Sequence, residues 1–161
     1  KKIKYNDTFV LYIAGHGITK EGKYQFLPYE KDKRISIDEL KQNLSKIYTN
    51  KSLVLLDTCQ SGAAIENIDD EATKNRLAYD SSKVNYIVAS SLNQVALEGY
   101  NDHGVFTYSV LDAFDNNPKL KVLGLANHVS ELVPKITKEK FQYEQIPQSK
   151  LNKNFILKNI E

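Results

Sequence analysis

The chain has 161 residues, 41% hydrophobic and 26% charged, with a net charge of +2; this suits one globular domain and excludes a disordered, collagen-like or disulfide-framework chain. The longest apolar stretch, residues 9–14, falls far short of the roughly 20 residues of a membrane span, and no apolar signal region follows the charged start. Its 20 Lys and 2 Arg are scattered among acids such as Glu21, Asp32, Asp38 and Glu39, so neither nucleic acid nor membrane is expected as a partner.

Phe9-Val10-Leu11-Tyr12-Ile13-Ala14 is a continuous apolar run ended by Gly15-His16-Gly17. Its β-branched and aromatic residues predict a parallel strand covered on both faces. Residues 24–27 read as a hairpin return ending at Pro28. Ser36 with Glu39 three residues later makes a capping box. Ile37, Leu40, Leu44 and Ile47 then keep helical spacing, so residues 36–48 are predicted as a helix. Leu53-Val54-Leu55-Leu56 is a second buried strand, ended by Asp57-Thr58-Cys59-Gln60-Ser61-Gly62. Residues 63–83 are polar and mixed and read as a loop with room for a short helix. Residues 84–89 form a third strand, ended by Ser90-Ser91, and residues 92–104 a loop. Phe106, Val110, Leu111 and Phe114 predict a helix over 105–115, stopped by Asn116-Asn117-Pro118. A further helix over 123–135 has Pro134 near its end. Residues 141–149 read as a loop and 154–157 as a last short strand. Apolar strands alternating with helices predict an α/β fold with a largely parallel sheet, in a single domain over 1–161.

The chemistry gathers where strands end. Ligand and catalytic sites of open α/β sheets form at the carboxyl ends of their strands. The one Cys, Cys59, and the most conspicuous His, His16, both stand at such ends. A thiolate attacks an acyl carbon and an imidazole moves the proton, so the two form a minimal acyl-transfer pair. Glycine lets a substrate approach the backbone, and N–H groups at such a turn bind a developing oxyanion. A lone Cys is more often a small buried hydrophobe. Cys59 follows its apolar run instead of lying inside it, which favours the chemical reading. His103, in a loop, and His128, in a helix, are read as ordinary polar residues.

Other patterns fail. Gly17-Ile18-Thr19-Lys20-Glu21-Gly22-Lys23 has phosphate-loop spacing, but Tyr24 stands where a Ser or Thr should ligate magnesium. No Arg occurs in residues 60–66, as a tyrosine-phosphatase loop requires. No cofactor is expected. One Cys with three scattered His gives no zinc pattern, Asp69-Asp70-Glu71 reads as solvated loop acids, and no clear motif supports calcium activation. The lone thiol and absent signal place the protein in the cytoplasm.

These residues resemble the caspase-like cysteine peptidases, above all their bacterial and metacaspase branch. The resemblance rests on Tyr12-Ile13-Ala14-Gly15-His16-Gly17 and on the segment from Leu53 to Gly62 around Cys59. It extends through Ala89-Ser90-Ser91, Gln94, Ala96 and Glu98 to Gly104-Val105-Phe106-Thr107, and through Gln145-Ile146-Pro147 to Asn154-Phe155-Ile156-Leu157. His16 precedes Cys59 by 43 residues, against roughly 50 in that family. The resemblance implies a three-layer sandwich, a mainly parallel sheet flanked by helices. The family's first strands would be absent from this chain. With no Met in the sequence, the chain is expected to be a piece of a longer protein.

The resemblance further implies a cysteine endopeptidase with Cys59 as nucleophile and His16 as acid–base partner. The backbone N–H groups of Gly17 and Cys59 would form the oxyanion hole. Ser90, Ser91, Asp57 and Glu98 would bind substrate. Caspases proper carry Gln where Asp57 stands and a pocket arginine near Glu98, and they cut after Asp. Two carboxylates would instead attract Arg or Lys. Asn93 departs from the further acid that many metacaspases carry. Lys74 and Arg76, in the loop after Cys59, would be self-processing sites; caspase-style cutting would choose Asp69 or Asp70. The expected partners are a protein or peptide substrate and the remainder of the chain's own polypeptide, and no oligomeric state is read. The competing reading is a catalytically silent scaffold or sensor, against which the retention of both His16 and Cys59 argues.

Overall fold

A computed structural model of the chain describes residues 2–28, 33–64 and 83–160. The loop expected over 63–83, with its acids and candidate processing positions, falls mostly outside them. β1 (Thr8–Lys20) opens the fold, β2 (Lys23–Leu27) returns antiparallel along its far end, and β3 (Ile35–Ser36) pairs with β2. α1 (Ile37–Leu44) carries the chain back to β4 (Lys51–Thr58), which lies parallel to β1. β5 (Val84–Val88) lies parallel to β4 on its other side. α2 (Val105–Asn116), β6 (Lys119–Lys121), α3 (Val122–Phe141), β7 (Gln148–Lys150) and β8 (Ile156–Asn159) complete the described elements. Among the described residues the main sheet has the order β3-β2-β1-β4-β5-β7, while β6 and β8 form a separate ribbon.

Alternation along the buried strands feeds two cores. Leu53, Leu55 and Ile87 face α2 and α3, where Phe106, Leu125, Val129 and Val133 meet them. Val54, Leu56, Tyr86 and Val88 face the other way, onto Tyr24, Ile37 and Leu40. Because both faces of β4 and β5 are covered, their central runs, Leu53-Val54-Leu55-Leu56 and Tyr86-Ile87-Val88, are apolar without alternating. The result is a mixed, mostly parallel sheet between helical layers, an α/β sandwich.

Several elements depart from expectation. β1 is not covered on both faces: Val10 and Tyr12 remain 49% and 45% exposed. The Tyr12 hydroxyl reaches across that side, to Thr107 of α2, whereas Leu11 and Ile13 lean on the second core. α1 ends at Leu44, short of the predicted residue 48, although Ser36 accepts the capping bond from Glu39 N–H at 3.1 Å. After it the Ser45 hydroxyl takes the Gln42 carbonyl, and Lys46 and Ile47 bond back three residues instead of four. α3 runs through Pro134 to Phe141. Proline removes one helical hydrogen bond, but Ile136 and Thr137 beyond it are buried, and the Thr137 hydroxyl also accepts from Gln145 N–H. The last strand lies at Ile156–Asn159 because it pairs with β6, which leaves Phe155 buried under α3's start. β3, β6 and β7 are additional to the predicted elements.

Candidate active site

β1 and β4 run in register up to Gly15 opposite Thr58, and His16 and Cys59 stand one step beyond that pair. At His16 the first strand leaves β4 and begins to pair with β2. The change of partner bends the chain, and Gly15 takes a φ of 145°, a conformation that L side chains rarely adopt. Gly17 then passes close behind the Cys59 turn. A Cβ there would overlap the Tyr24 hydroxyl and lie 2.8 Å from the Cys59 carbonyl oxygen. His16 is exposed and Cys59 half-buried, so both are within reach of a ligand.

The turn after Cys59 is tied down from two sides. Gln60 has a φ of 55°, in the left-handed region that is costly for a side chain. Its N–H donates to Gln94 O at 2.9 Å, and its side-chain Oε1 accepts from Thr19 N–H at 2.9 Å. Beneath the turn the Tyr24 hydroxyl bonds the Thr58 hydroxyl. Burial pushes the Tyr24 pKa up to about 12, with the bond to Thr58 acting the other way and the charge of Cys59 adding to the rise.

Asp57 points to the α2 side of the sheet. Its Oδ2 accepts from the Thr107 hydroxyl. Burial raises the Asp57 pKa; hydrogen bonding to Thr107 opposes the shift and the nearby Glu98 charge adds to it. Glu98 itself is exposed. The structure therefore brings Asp57 and Glu98 within electrostatic reach of each other, two residues from Cys59 along β4.

Ser90 and Ser91 lie where β5 ends. Ser90 is fully buried; its hydroxyl donates to Gln94 O at 3.2 Å, and its N–H donates to the Ser61 hydroxyl at 3.1 Å. Ser91 is half-buried and its N–H faces Gln94 Oε1 at 3.3 Å. Gln145, also fully buried, donates from Nε2 to Ala89 O and accepts the Leu97 N–H at Oε1, both at 2.8 Å. These bonds fasten the end of β5, the 91–98 loop and the chain after α3 into one frame behind Cys59. His103 lies in a tight turn with Tyr100, and His128 bonds the Asp112 carboxylate at 2.8 Å, away from this frame. Among the described residues no group of three or more His, Cys, Asp or Glu side chains converges as a metal site would require.

Sequence reasoning assigns no role to Gln60, Gln145, Tyr24, Thr58, Tyr12 or Thr107. One signal was within reach. Gly104 stands at the start of α2 and offers no side chain to cap it, so an acceptor must come from elsewhere in the fold. No curated protein matches the chain. The family model of the caspase domain matches residues 1–156, and with its sheet, its layers and its strand-end thiol and imidazole the chain belongs to that family of cysteine peptidases.

Proposed function

We propose that this domain is a cysteine endopeptidase that cuts after Arg or Lys by a Cys59–His16 dyad. The observation that carries the reading is the placement of His16 and Cys59 on neighbouring strand ends, one step beyond the last pair of β1 and β4. Cys59 gives its proton to His16, and its sulfur attacks the scissile carbonyl carbon. The oxyanion that forms is met by the N–H groups of Gly17 and Cys59, an interaction worth most in a site that excludes water. His16 returns the proton to the leaving amine. Water, deprotonated by His16, then hydrolyses the thioester and frees Cys59. Asp57 and Glu98 receive the basic side chain of the residue before the cut, and Ser91 lines the approach. Ser90, whose hydroxyl is turned inward to Gln94 O, shapes the floor of that cleft. The partners are a peptide or protein substrate and any remaining part of the polypeptide. A lone thiol kept for chemistry suits the reducing cytoplasm.

The test is cleavage of matched peptides carrying Arg, Lys or Asp at the scissile position, by the full-length protein and its Cys59→Ala twin, with and without calcium. Cys59-dependent cleavage after Arg or Lys is expected. Cleavage after Asp overturns the acidic pocket while leaving a protease. No cleavage by a well-folded protein, under either condition, favours the silent-scaffold reading.

A further inference from the structure

We propose that Thr107 is a positioning residue for substrate specificity: held by Tyr12, it fixes the Asp57 carboxylate so that one oxygen, Oδ1, is presented to a cationic side chain. The proposal rests on the reading of Asp57 as part of the pocket for Arg or Lys.

Three elements meet at this point. Thr107 lies in the first turn of α2, where backbone N–H groups have no partner inside the helix. Gly104, at the helix start, brings no capping side chain. Val105 N–H is satisfied by Leu97 O at 3.0 Å. The Thr107 hydroxyl goes to Asp57, which arrives from β4. The carboxylate is seated flush against the helix start: a Cβ on Gly104 would stand only 2.9 Å from Asp57 Oδ2. An anion is also favoured there by the helix dipole.

The direction of the chain of hydroxyls follows from proton counting. A carboxylate can only accept, so the one hydroxyl proton of Thr107 is spent on Asp57 Oδ2. Tyr12, on β1, has its hydroxyl 2.6 Å from Thr107 Oγ1. It must therefore be the donor, and the order is Tyr12 to Thr107 to Asp57. Oδ2 is thus committed to the fold through a residue 50 positions away. The carboxylate cannot rotate without breaking its bond to the Thr107 side chain of α2. A hydrogen bond that fixes a charged group in this way is stronger than a neutral one. Asp57 then serves two ends, capping α2 with one oxygen and leaving the other for a ligand beside Glu98.

A helix cap alone would also place Thr107 beside Asp57, so the test must read recognition as well as stability. Thr107→Val removes the hydroxyl and keeps the backbone N–H; Thr107→Ser restores a hydroxyl; Tyr12→Phe removes only the outer donor. In the full-length protein, the ratio of kcat/KM for an Arg peptide over its neutral citrulline analogue is expected to fall about tenfold in Thr107→Val, the worth of one hydrogen bond to a charged group. The loss should appear in KM for the Arg peptide, recover in Thr107→Ser and be smaller in Tyr12→Phe. An unchanged ratio in folded Thr107→Val overturns the proposal. Should Thr107→Val fail to fold, Tyr12→Phe decides: an unchanged ratio there does the same.

A second readout is independent of turnover. Benzamidine, an amidinium probe, is titrated into Cys59→Ala protein by ligand-observed NMR, alone and combined with Asp57→Asn or Thr107→Val. Binding that both second substitutions weaken supports the proposal even if no peptide is cleaved, in which case only the peptidase reading fails. Equal binding with and without Thr107→Val, or no binding to Cys59→Ala at all, overturns it.

Discussion

Replacing Gly17 by Ala adds one methyl group at the most crowded point of the site. That methyl would overlap the hydroxyl of Tyr24, which is fully buried, and would stand 2.8 Å from both Tyr24 Cζ and the Cys59 carbonyl oxygen. Tyr24 has no open side to retreat to, and the Cys59 oxygen belongs to backbone, so the first and fourth strands must part. Overpacking of this kind costs about 1–3 kcal/mol. Gly124→Ala is the matched control, because its methyl would meet Leu120 Cδ1 at an ordinary 3.5 Å inside α3. In a helix the same change gains about 0.5–1 kcal/mol. Urea unfolding should therefore separate the two variants by about 1.5–4 kcal/mol, with opposite signs relative to the parent. Moving Gly17 also moves the Cys59 turn, so Gly17→Ala should change the rate of Cys59 alkylation by iodoacetamide, whereas Gly124→Ala should not. Adding Tyr24→Phe removes the worst overlap and leaves the two 2.8 Å contacts, so the double variant should recover part of the loss. Gly17→Ala with parental stability and parental alkylation would mean that the Cys59 turn does not press on Gly17.

Three further outcomes follow from buried polar groups. Gln145→Leu leaves the Leu97 N–H and Ala89 C=O without their partner and should cost about 2–4 kcal/mol in urea unfolding. Tyr24 and Tyr86 both have pKa values raised by burial, so the folded state holds their protons more tightly than the unfolded one. Stability should fall as pH climbs above 10.0 and goes on falling toward about 12 for Tyr24. Absorbance at ~295 nm would follow the two phenols, which should ionise largely on unfolding. Asp57 is also raised by burial, so the parent should lose stability as pH rises from 3.8 through the raised value. Asp57→Asn keeps an acceptor for Thr107 and should remove that step from the stability–pH curve. Asp57→Ala removes the cap of α2 and should cost about 1 kcal/mol.

Local signals carry local structure. The start of α1 is legible because Ser36 and Glu39 make their own hydrogen bond. β4 and β5 are legible because strands covered on both faces carry unbroken apolar runs, here Leu53-Val54-Leu55-Leu56 and Tyr86-Ile87-Val88. β3, β6 and β7 have two or three residues each, too few to show a period. The length of α3 is hidden because the burial of Ile136 and Thr137 outweighs the local effect of Pro134. The half-exposed face of β1 is hidden because Val10 and Tyr12, 49% and 45% exposed, are as apolar as residues covered on both sides. At the site, the strand ends that carry His16 and Cys59 can be read from the glycines and polar residues that stop each run. The frame behind them cannot. Tyr24 reaches Thr58 across 34 residues, Gln145 reaches Leu97 across 48 and Thr107 reaches Asp57 across 50. No spacing rule connects such pairs, and only the folded chain shows that Asp57 caps a helix from another element.

The proposed activity requires a thiol that reacts inside an acidic, Arg-accepting cleft. Its most direct measurement is mass spectrometry of the full-length protein after treatment with matched peptidyl electrophiles ending in Arg or Asp, repeated on His16→Ala. A single adduct on Cys59 is expected from the Arg reagent, slower with the Asp reagent and slower again without His16. Preferential labelling by the Asp reagent, or equal labelling with and without His16, would contradict the proposed activity.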